Sequence, residues 1–333
     1  MPDIDVALSS CDFDTCSISR SLYGYQPSAT ANGIFAAIFT AALISCLVYA
    51  VSRRRWLEFN ALVSLACIFE IIGFGARLWS SFKPWDVRLF AVSTSLLTVA
   101  PAFNTAGIYT TVYETITILG VEHSPIEPTA YSQLIWIDGI GFVLQLIGIV
   151  AAFLNLSTDT GIEIISNKGS WIMAAGTGLQ AISLACFIMT FTVVIVKAAL
   201  MYRHFGYTTF HFEHGFVPLS RKFKFFFVIM VTAVICLFAR AAFQTLLLGS
   251  GFASEIAKNE ALFIGFNGFL VAQSLVGLAI THPASFLRDG LKERRHYRSA
   301  SSSTLLDRPR RRDTNGYQNG EGVTSLELVN NFI

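Results

Sequence analysis

Seven long apolar segments dominate this sequence and leave few folds open to it. They run over Ala31–Val51, Leu57–Leu78, Leu89–Leu119, Ser132–Leu154, Trp171–Val196, Phe225–Leu248 and Ala261–Thr281. An α-helix needs about 20 residues to cross about 30 Å of hydrocarbon, and each segment reaches that length. The runs are continuously apolar and lack the alternation of membrane barrel strands. The sequence therefore predicts an all-α, polytopic membrane protein with seven transmembrane helices.

The scarcity of charge leads to the same class of protein. Charged residues make up 14% of the chain and hydrophobic residues 53%, whereas a soluble globular chain carries about 25% charged residues. This composition excludes a pair of aqueous domains, which the length alone would allow. We also expect no nucleic-acid partner.

The distribution of Lys and Arg predicts the orientation. Of the 24 basic residues, 17 fall in one alternate set of connections and 5 in the other, while Arg77 and Arg240 lie inside spans. Because cytoplasmic loops carry the excess of positive charge, the N-terminus is expected outside and the C-terminus in the cytosol. The chain then divides into an extracellular tail (1–30), a seven-helix transmembrane domain (31–283) and a disordered basic, Ser-rich cytosolic tail (284–333).

The two tails carry further candidate features. Cys11 and Cys16 lie on the predicted oxidising side, where they form either a disulfide or two free thiols. Asn155 begins a glycosylation sequon on that side, close to the end of a span. The basic cluster after the last span either binds anionic inner-leaflet lipid or only fixes the topology.

Polar residues inside the spans are the candidate functional residues, because each is costly there. Glu70 and Arg77 are seven residues apart and therefore share a helix face, as do Asp138 and Gln145. Pro101 removes a backbone donor and is expected to kink the third span. The full set of candidates for a substrate path is Glu70, Arg77, Pro101, Tyr109, Glu114, Asp138, Gln145, Gln180, Arg240, Gln244, Asn267, Gln273 and His282. These groups either line a path for an amphiphile or only join helices by hydrogen bonds.

The common catalytic motifs are missing from the sequence. It contains neither a phosphate-binding loop nor the H-E-x-x-H and G-x-S-x-G hydrolase signatures. A G-x-G pattern at Gly176 and Gly178 lies inside an apolar span, with no strand before it, and does not indicate a dinucleotide site. His204, His211 and His214 are read as part of a solvated loop. We therefore predict no enzyme activity, no cofactor and no metal site.

An ordered series of motifs resembles a known family. The series comprises Tyr25-Gln26-Pro27-Ser28, Glu70-x-x-Gly73-Phe74-x-x-Arg77, Ala100-Pro101-Ala102 with Tyr109, Trp136-x-Asp138 with Phe142 and Gln145, Gly178-Leu179-Gln180, Arg240 with Phe243, Gly249 with Gly251 and Glu260, and His282-Pro283. In this order they resemble the fungal lipid-translocating exporters, also called the RTA-like family. The resemblance runs from about Tyr25 to Pro283.

This resemblance implies a fungal membrane protein, usually at the plasma membrane, that exports or gives resistance to amphiphiles. Sphingoid long-chain bases, sterol-like compounds and porphyrin-like compounds are the implied cargo. The chain departs from the family where charges are expected, with Gln244, Asn267 and Glu114 at or near those positions. The alternative hypothesis is a seven-helix receptor with an outer ligand site and a cytosolic signalling face.

Overall fold

A computed structural model describes residues 11–52, 56–153, 167–205, 210–211, 215–216, 220–252 and 254–287. Seven of its helical segments are long and apolar enough to cross a membrane. They are α1 (Ala29–Ser52), α2 (Leu57–Ser80), α3 (Val87–Leu119), α4 (Pro128–Phe153), α5 (Asn167–Phe205), α6 (Arg221–Ser250) and a seventh span over Glu260–Ile280. The predicted all-α fold is confirmed. Asn155 and the tail from residue 288 lie outside the described residues.

The seventh span is a composite helix. It begins with α7 (Glu260–Phe263), continues as a π-helix (Ile264–Phe269) and ends with α8 (Leu270–Ile280). Gly268 lies in the π-helix, where a Cβ would stand 2.5 Å from the ring of Phe35 on α1. The wider turn therefore packs directly on α1. A short α9 (Pro283–Phe286) follows.

Short elements complete the described structure. Two 3₁₀ turns cover Ile18–Arg20 and Val121–His123. Between α5 and α6, β1 (Phe210–His211) pairs antiparallel with β2 (Gly215–Phe216). Polar caps fix several helix starts, since Asp86 accepts from backbone N–H groups at α3 and Ser220 does so at α6.

The helices form a closed ring, and α3 also makes contacts across it. Consecutive helices are neighbours, and α8 packs against both α1 and α6. Helix α3 also contacts α5, α6 and α8. In its most apolar 18-residue stretch 61% of residues are buried, compared with 17% in α1. Polar side chains on α3 are therefore enclosed by the other spans.

Small residues bring α4 and α5 together. A Cβ on Gly169 would lie 2.2 Å from the backbone nitrogen of Ala152, and one on Gly176 would lie 2.6 Å from the carbonyl oxygen of Gly141. Glycine thus lets the two backbones touch, as is common between membrane helices. The other face of α4 exposes large apolar side chains such as Ile140 and Val150. That face is suited to lipid.

Residues 11–28 cover one end of the bundle, which we name the capped end. Cys11 and Cys16 form a disulfide there, although their residue pattern left the pairing open. Phe13 packs against Trp85 with ring centroids 5.1 Å apart. The amide of Ser28 donates to Oε1 of Glu260 at 2.7 Å. The part of the predicted N-terminal tail nearest the first span, residues 21–28, is therefore packed on the helices.

Candidate functional site

Buried polar side chains form a chain of contacts along α3, which we name the polar seam. It consists of Glu70, Arg77, Ser93, Thr98, Asn104, Thr105, Tyr109, Asp138, Gln145, Gln180, Ser183, Arg240, Gln244, Asn267 and Ser274. Each of these residues is at most 5% exposed. The seam extends from the capped end towards the opposite end of the bundle in four successive layers.

Arg240 on α6 organises the middle of the seam. Pro101 has no N–H, so the carbonyl of Leu97, four residues earlier, lacks its helical partner. Nη2 of Arg240 donates to this carbonyl at 2.5 Å, and Nη1 donates to the carbonyl of Thr98 at 3.5 Å. The arginine thus replaces the hydrogen bond that the proline removes, and α3 continues as a helix through Pro101.

The remaining contacts of Arg240 connect two more spans. Its Nε donates to Oδ1 of Asn267 at 3.1 Å, and Asn267 lies in the π-helix. Glu70 on α2 interacts with Arg240 electrostatically. Neither oxygen of Glu70 has a hydrogen-bond partner among the described residues. Glu70 therefore acts on Arg240 through space and without a hydrogen bond, and α2, α3, α6 and the seventh span converge here.

Arg77 occupies the layer below the capped end. Its Nη2 donates to the hydroxyl of Tyr25. The guanidinium lies 3.6 Å from the ring centroid of Phe263 and 4.7 Å from that of Tyr23, within the range of cation–π attraction. Burial raises the pKa of both Tyr23 and Tyr25, although the charge of Arg77 opposes the shift. Both tyrosines are therefore neutral phenols near pH 7.

A cavity of about 50 Å³ connects the Arg77 and Arg240 layers. Its polar lining includes Arg77, Ser93, Gln244 and Asn267. Nε of Arg77, Oγ of Ser93 and Oε1 of Gln244 have no partner among the described residues. Since one water needs about 10–15 Å³ of such space, the cavity can hold a few waters or a small polar group.

The next layer joins α3 to α5 and α8 and ends at Gln145 of α4. Nδ2 of Asn104 donates to Oγ of Ser274 at 2.9 Å, and Nε2 of Gln180 donates to Oγ1 of Thr105 at 3.5 Å. Gln145 is fully buried, and neither of its amide atoms has a partner among the described residues. This layer therefore contains hydrogen-bonding groups that no described residue satisfies.

The last layer surrounds Asp138. The hydroxyls of Tyr109 and Ser183 lie 3.3 Å apart, and both groups act on Asp138. Neither carboxylate oxygen meets a donor in hydrogen-bond geometry within the described part of the chain. The ring of Phe187 packs on Tyr109 with centroids 5.3 Å apart. The layer thus combines a buried carboxyl group, two hydroxyls and aromatic walls.

His282 lies outside the seam, at the end opposite the cap. Its Nδ1 accepts from the amide of Ala284 at 3.1 Å, so the hydrogen lies on Nε2, which faces Oδ1 of Asn60 at 2.7 Å. Its ring stacks on Tyr49 with centroids 4.3 Å apart. This geometry fits a neutral imidazole that caps α9.

Glu114 and Gln273 also lie away from the seam. Glu114 is half-buried and lines a separate groove of about 360 Å³ with Glu58, Trp56 and Tyr113. Gln273 is exposed on α8. The other path candidates are buried together, nine of them as members of the seam and Pro101 as the residue that frees the carbonyl of Leu97. The searched part of the chain holds no cluster of three or more metal-ligating side chains.

Sequence reasoning missed the hydroxyl groups of the seam. The hydroxyl groups of Thr98, Thr105, Ser183 and Ser274 each connect two helices. Ser and Thr are common in membrane helices, where they often bond only their own helix, as Thr192 does. The one sequence feature that could have indicated these hydroxyl groups is the seven-residue spacing of Thr98 and Thr105, which places both on one face of α3 on either side of Pro101.

Comparison with known proteins agrees with this architecture. The family model described as RTA1 like protein matches residues 63–290. A sphingoid long-chain base transporter, RSB1 of Saccharomyces cerevisiae, is 26% identical over 292 residues, covering 80% of this chain and 74% of the relative. Protein RTM1 of the same species is 23% identical over 217 residues, covering 63% of each chain.

No solved structure matches the chain. Its seven apolar helices and its relatives identify a multi-pass membrane protein. The resemblance to RTA-like proteins is confirmed, because the family model covers more than half of the chain. The chain belongs to the RTA1-like protein family.

Proposed function

We propose that this protein moves amphiphilic lipids of the long-chain base type across the plasma membrane, with the polar headgroup passing along the polar seam. The relative named as a sphingoid long-chain base transporter supports the substrate class. The observation that carries the proposal is the set of buried, unpartnered polar atoms in the seam. We expect no catalytic activity.

These unpartnered atoms favour a path over simple helix–helix adhesion. Adhesion alone would be served by pairs such as Asn104 with Ser274. An unsatisfied buried polar group costs about 1–3 kcal/mol. Gln145, Gln180 and Gln244 nevertheless keep acceptor oxygens without a partner among the described residues. A passing headgroup with an ammonium and hydroxyls would donate to these oxygens in turn.

The lipid-facing surface of α4 supports the same mechanism. Its seam side is polar or small, whereas Ile140 and Val150 face outwards. The headgroup would travel inside the seam while the hydrocarbon chain stays in the bilayer. We place the capped end outside, as the distribution of Lys and Arg predicts. The contact of the basic C-terminal tail with anionic inner-leaflet lipid remains a prediction.

The test measures release of a tritiated sphingoid base from yeast cells with and without the chain. Gln180→Leu removes an acceptor of the seam. We expect it to slow release about tenfold, which corresponds to one polar contact of about 1.4 kcal/mol. Gln273→Leu is the matched control, because it makes the same change on an exposed face.

The control should release the base at the wild-type rate. Equal release from cells with and without the wild-type chain would refute the function. Equal loss in the two variants would refute the role of the seam.

A further inference from the structure

Two buried carboxyl groups in the seam have different surroundings. Glu70 and Asp138 are 1% and 4% exposed, and neither has a hydrogen-bond partner among the described residues. Glu70 lies in the field of Arg240. For Asp138 the neighbouring groups on α3 and α5 are Tyr109, Ser183 and, near Tyr109, Cys186. None of the groups around Asp138 can carry a positive charge. Of the two carboxyl groups, therefore, Glu70 has a cationic partner and Asp138 has none among the groups named here.

An isolated carboxylate in an apolar environment is strongly disfavoured and tends to take up a proton. At Glu70 the buried positive charge of Arg240 opposes this effect. Asp138 in the same environment requires a cation of its own, and a proton is the smallest one. The unused oxygens of Asp138 therefore indicate a site that an external cation occupies.

The surroundings of Asp138 also suit an ammonium group. The hydroxyl group of Ser183 neighbours the carboxyl group, and the hydroxyl oxygen of Tyr109 lies 3.3 Å from that of Ser183. The ring of Phe187 packs on Tyr109, and the ring of Tyr131 packs on Phe187 with centroids 5.8 Å apart. A carboxylate with hydroxyl oxygens and aromatic faces is the usual environment for an organic cation.

The position of Asp138 along α4 places it close to the membrane–water interface. Trp136 is 79% exposed, and exposed Trp residues in membrane proteins gather at the membrane–water interface. Asp138 follows two residues later, which is about 3 Å along the helix axis. It lies at the end of the seam away from the cap. A lipid headgroup in that leaflet would reach Asp138 before the other layers.

We propose that Asp138 is an exchange site that holds either one proton or one ammonium headgroup, so that amphiphile export is coupled to proton entry. This inference rests on the proposed function and adds its energy source. When the ammonium arrives, the O–H bond of Asp138 breaks and the proton leaves to the cytosolic water. When the headgroup has moved on, a proton from outside reaches the carboxylate along the seam. One positive charge moves each way, so the exchange is electroneutral.

The test uses the purified full-length chain in proteoliposomes with a pH difference of one unit. The probe is a quaternary N-trimethyl sphingosine with a fluorescent chain, which carries no titratable proton of its own. Back-extraction with albumin measures its distribution between leaflets. One-for-one exchange should concentrate the probe up to about tenfold on the acidic side, since one pH unit equals 1.36 kcal/mol.

Asp138→Asn keeps the shape of the side chain but cannot exchange a proton. We expect the distribution of the probe between the leaflets to be the same with and without the pH difference in this variant. Glu114→Gln is the matched control, since it removes a carboxyl group outside the seam, and it should keep the tenfold response. Probe movement in the wild type without a response to pH would overturn the inference, as would an Asp138→Asn variant that responds like the wild type.

Infrared spectroscopy separates this inference from the proposed function. The wild type should show a protonated-carboxyl band at neutral pH that disappears when the probe is added. Asp138→Asn should show no band that responds to the probe, and Glu114→Gln should retain the responsive band. If the wild type moves no probe but shows this behaviour, the proposed function fails and the exchange site stands. If the probe leaves the band unchanged, the exchange site is wrong.

Discussion

The contact between Arg240 and the carbonyl of Leu97 predicts that substitutions of Arg240 and Pro101 have non-additive effects on the free energy of unfolding. Arg240→Met leaves the carbonyl unpaired, removes the bond to Asn267 and leaves Glu70 without a cation. Breaking a buried charge pair by removing one partner costs about 3–5 kcal/mol. We therefore expect the free energy of unfolding to fall by that amount.

The second change restores the missing backbone donor. In Pro101→Ala, the new N–H at position 101 bonds the carbonyl of Leu97 within α3. Arg240→Met should then cost about 1–3 kcal/mol less than in the wild type, because the carbonyl is no longer left unsatisfied. The double-mutant cycle measures this coupling.

The assay is equilibrium unfolding of the purified variants in mixed detergent micelles, followed by circular dichroism. The control cycle pairs Arg240→Met with Gly75→Ala, at a site where an added Cβ meets nothing within 4 Å. That pair should be additive within about 0.5 kcal/mol. The same cost of Arg240→Met with and without Pro101 would refute the explanation.

Three further predictions concern the packing and the capped end. Gly176→Ala should lower the free energy of unfolding by about 1–3 kcal/mol through overpacking. Gly139→Ala should leave it unchanged, because a Cβ there meets nothing within 4 Å. Unfolding in detergent compares the two variants, and an equal loss of stability in both would contradict the backbone contact at Gly176. Cys11→Ser with Cys16→Ser should speed cleavage of residues 11–28 by added protease, and unchanged cleavage would show that other contacts suffice. Because the pKa of Tyr25 is raised in the folded protein, the stability that this residue contributes is intact below pH 10 and is lost as the pH rises through the higher folded-state pKa. Tyr25→Phe should therefore weaken the loss of stability at alkaline pH. An unchanged dependence of the free energy of unfolding on pH would contradict this prediction.

Most of the fold could be predicted because membrane spans are long apolar runs. Helix α5 is the main exception, since it continues nine residues past the predicted end at Val196 to Phe205. That extension includes Lys197 and Arg203, which hydropathy excludes from a span. The part of a helix that extends beyond the hydrocarbon core needs no apolar residues. Hydropathy therefore cannot indicate the residue at which α5 ends.

The candidate site was only partly predictable. The cost of burying charge singles out Glu70, Asp138 and Arg240 from the sequence alone. The partner of Arg240 is a backbone carbonyl, however, and no side-chain pattern indicates it. Gln273 was a candidate by depth alone, but a residue six positions after Asn267 is about 120° from it on a regular helix. Depth can be estimated from sequence, whereas the rotation of each helix requires the structure.

The cap has a consequence for the order in which the protein is made. Ser28 leaves the ribosome early, but its partner Glu260 is 232 residues later in the chain. At about 5–20 residues per second, the partner arrives on the order of 10–50 seconds later. Gly24 also packs against Lys258, which appears equally late. A segment synthesised before all seven spans thus waits for its partners, and its contacts can form only when the start of the seventh span has emerged.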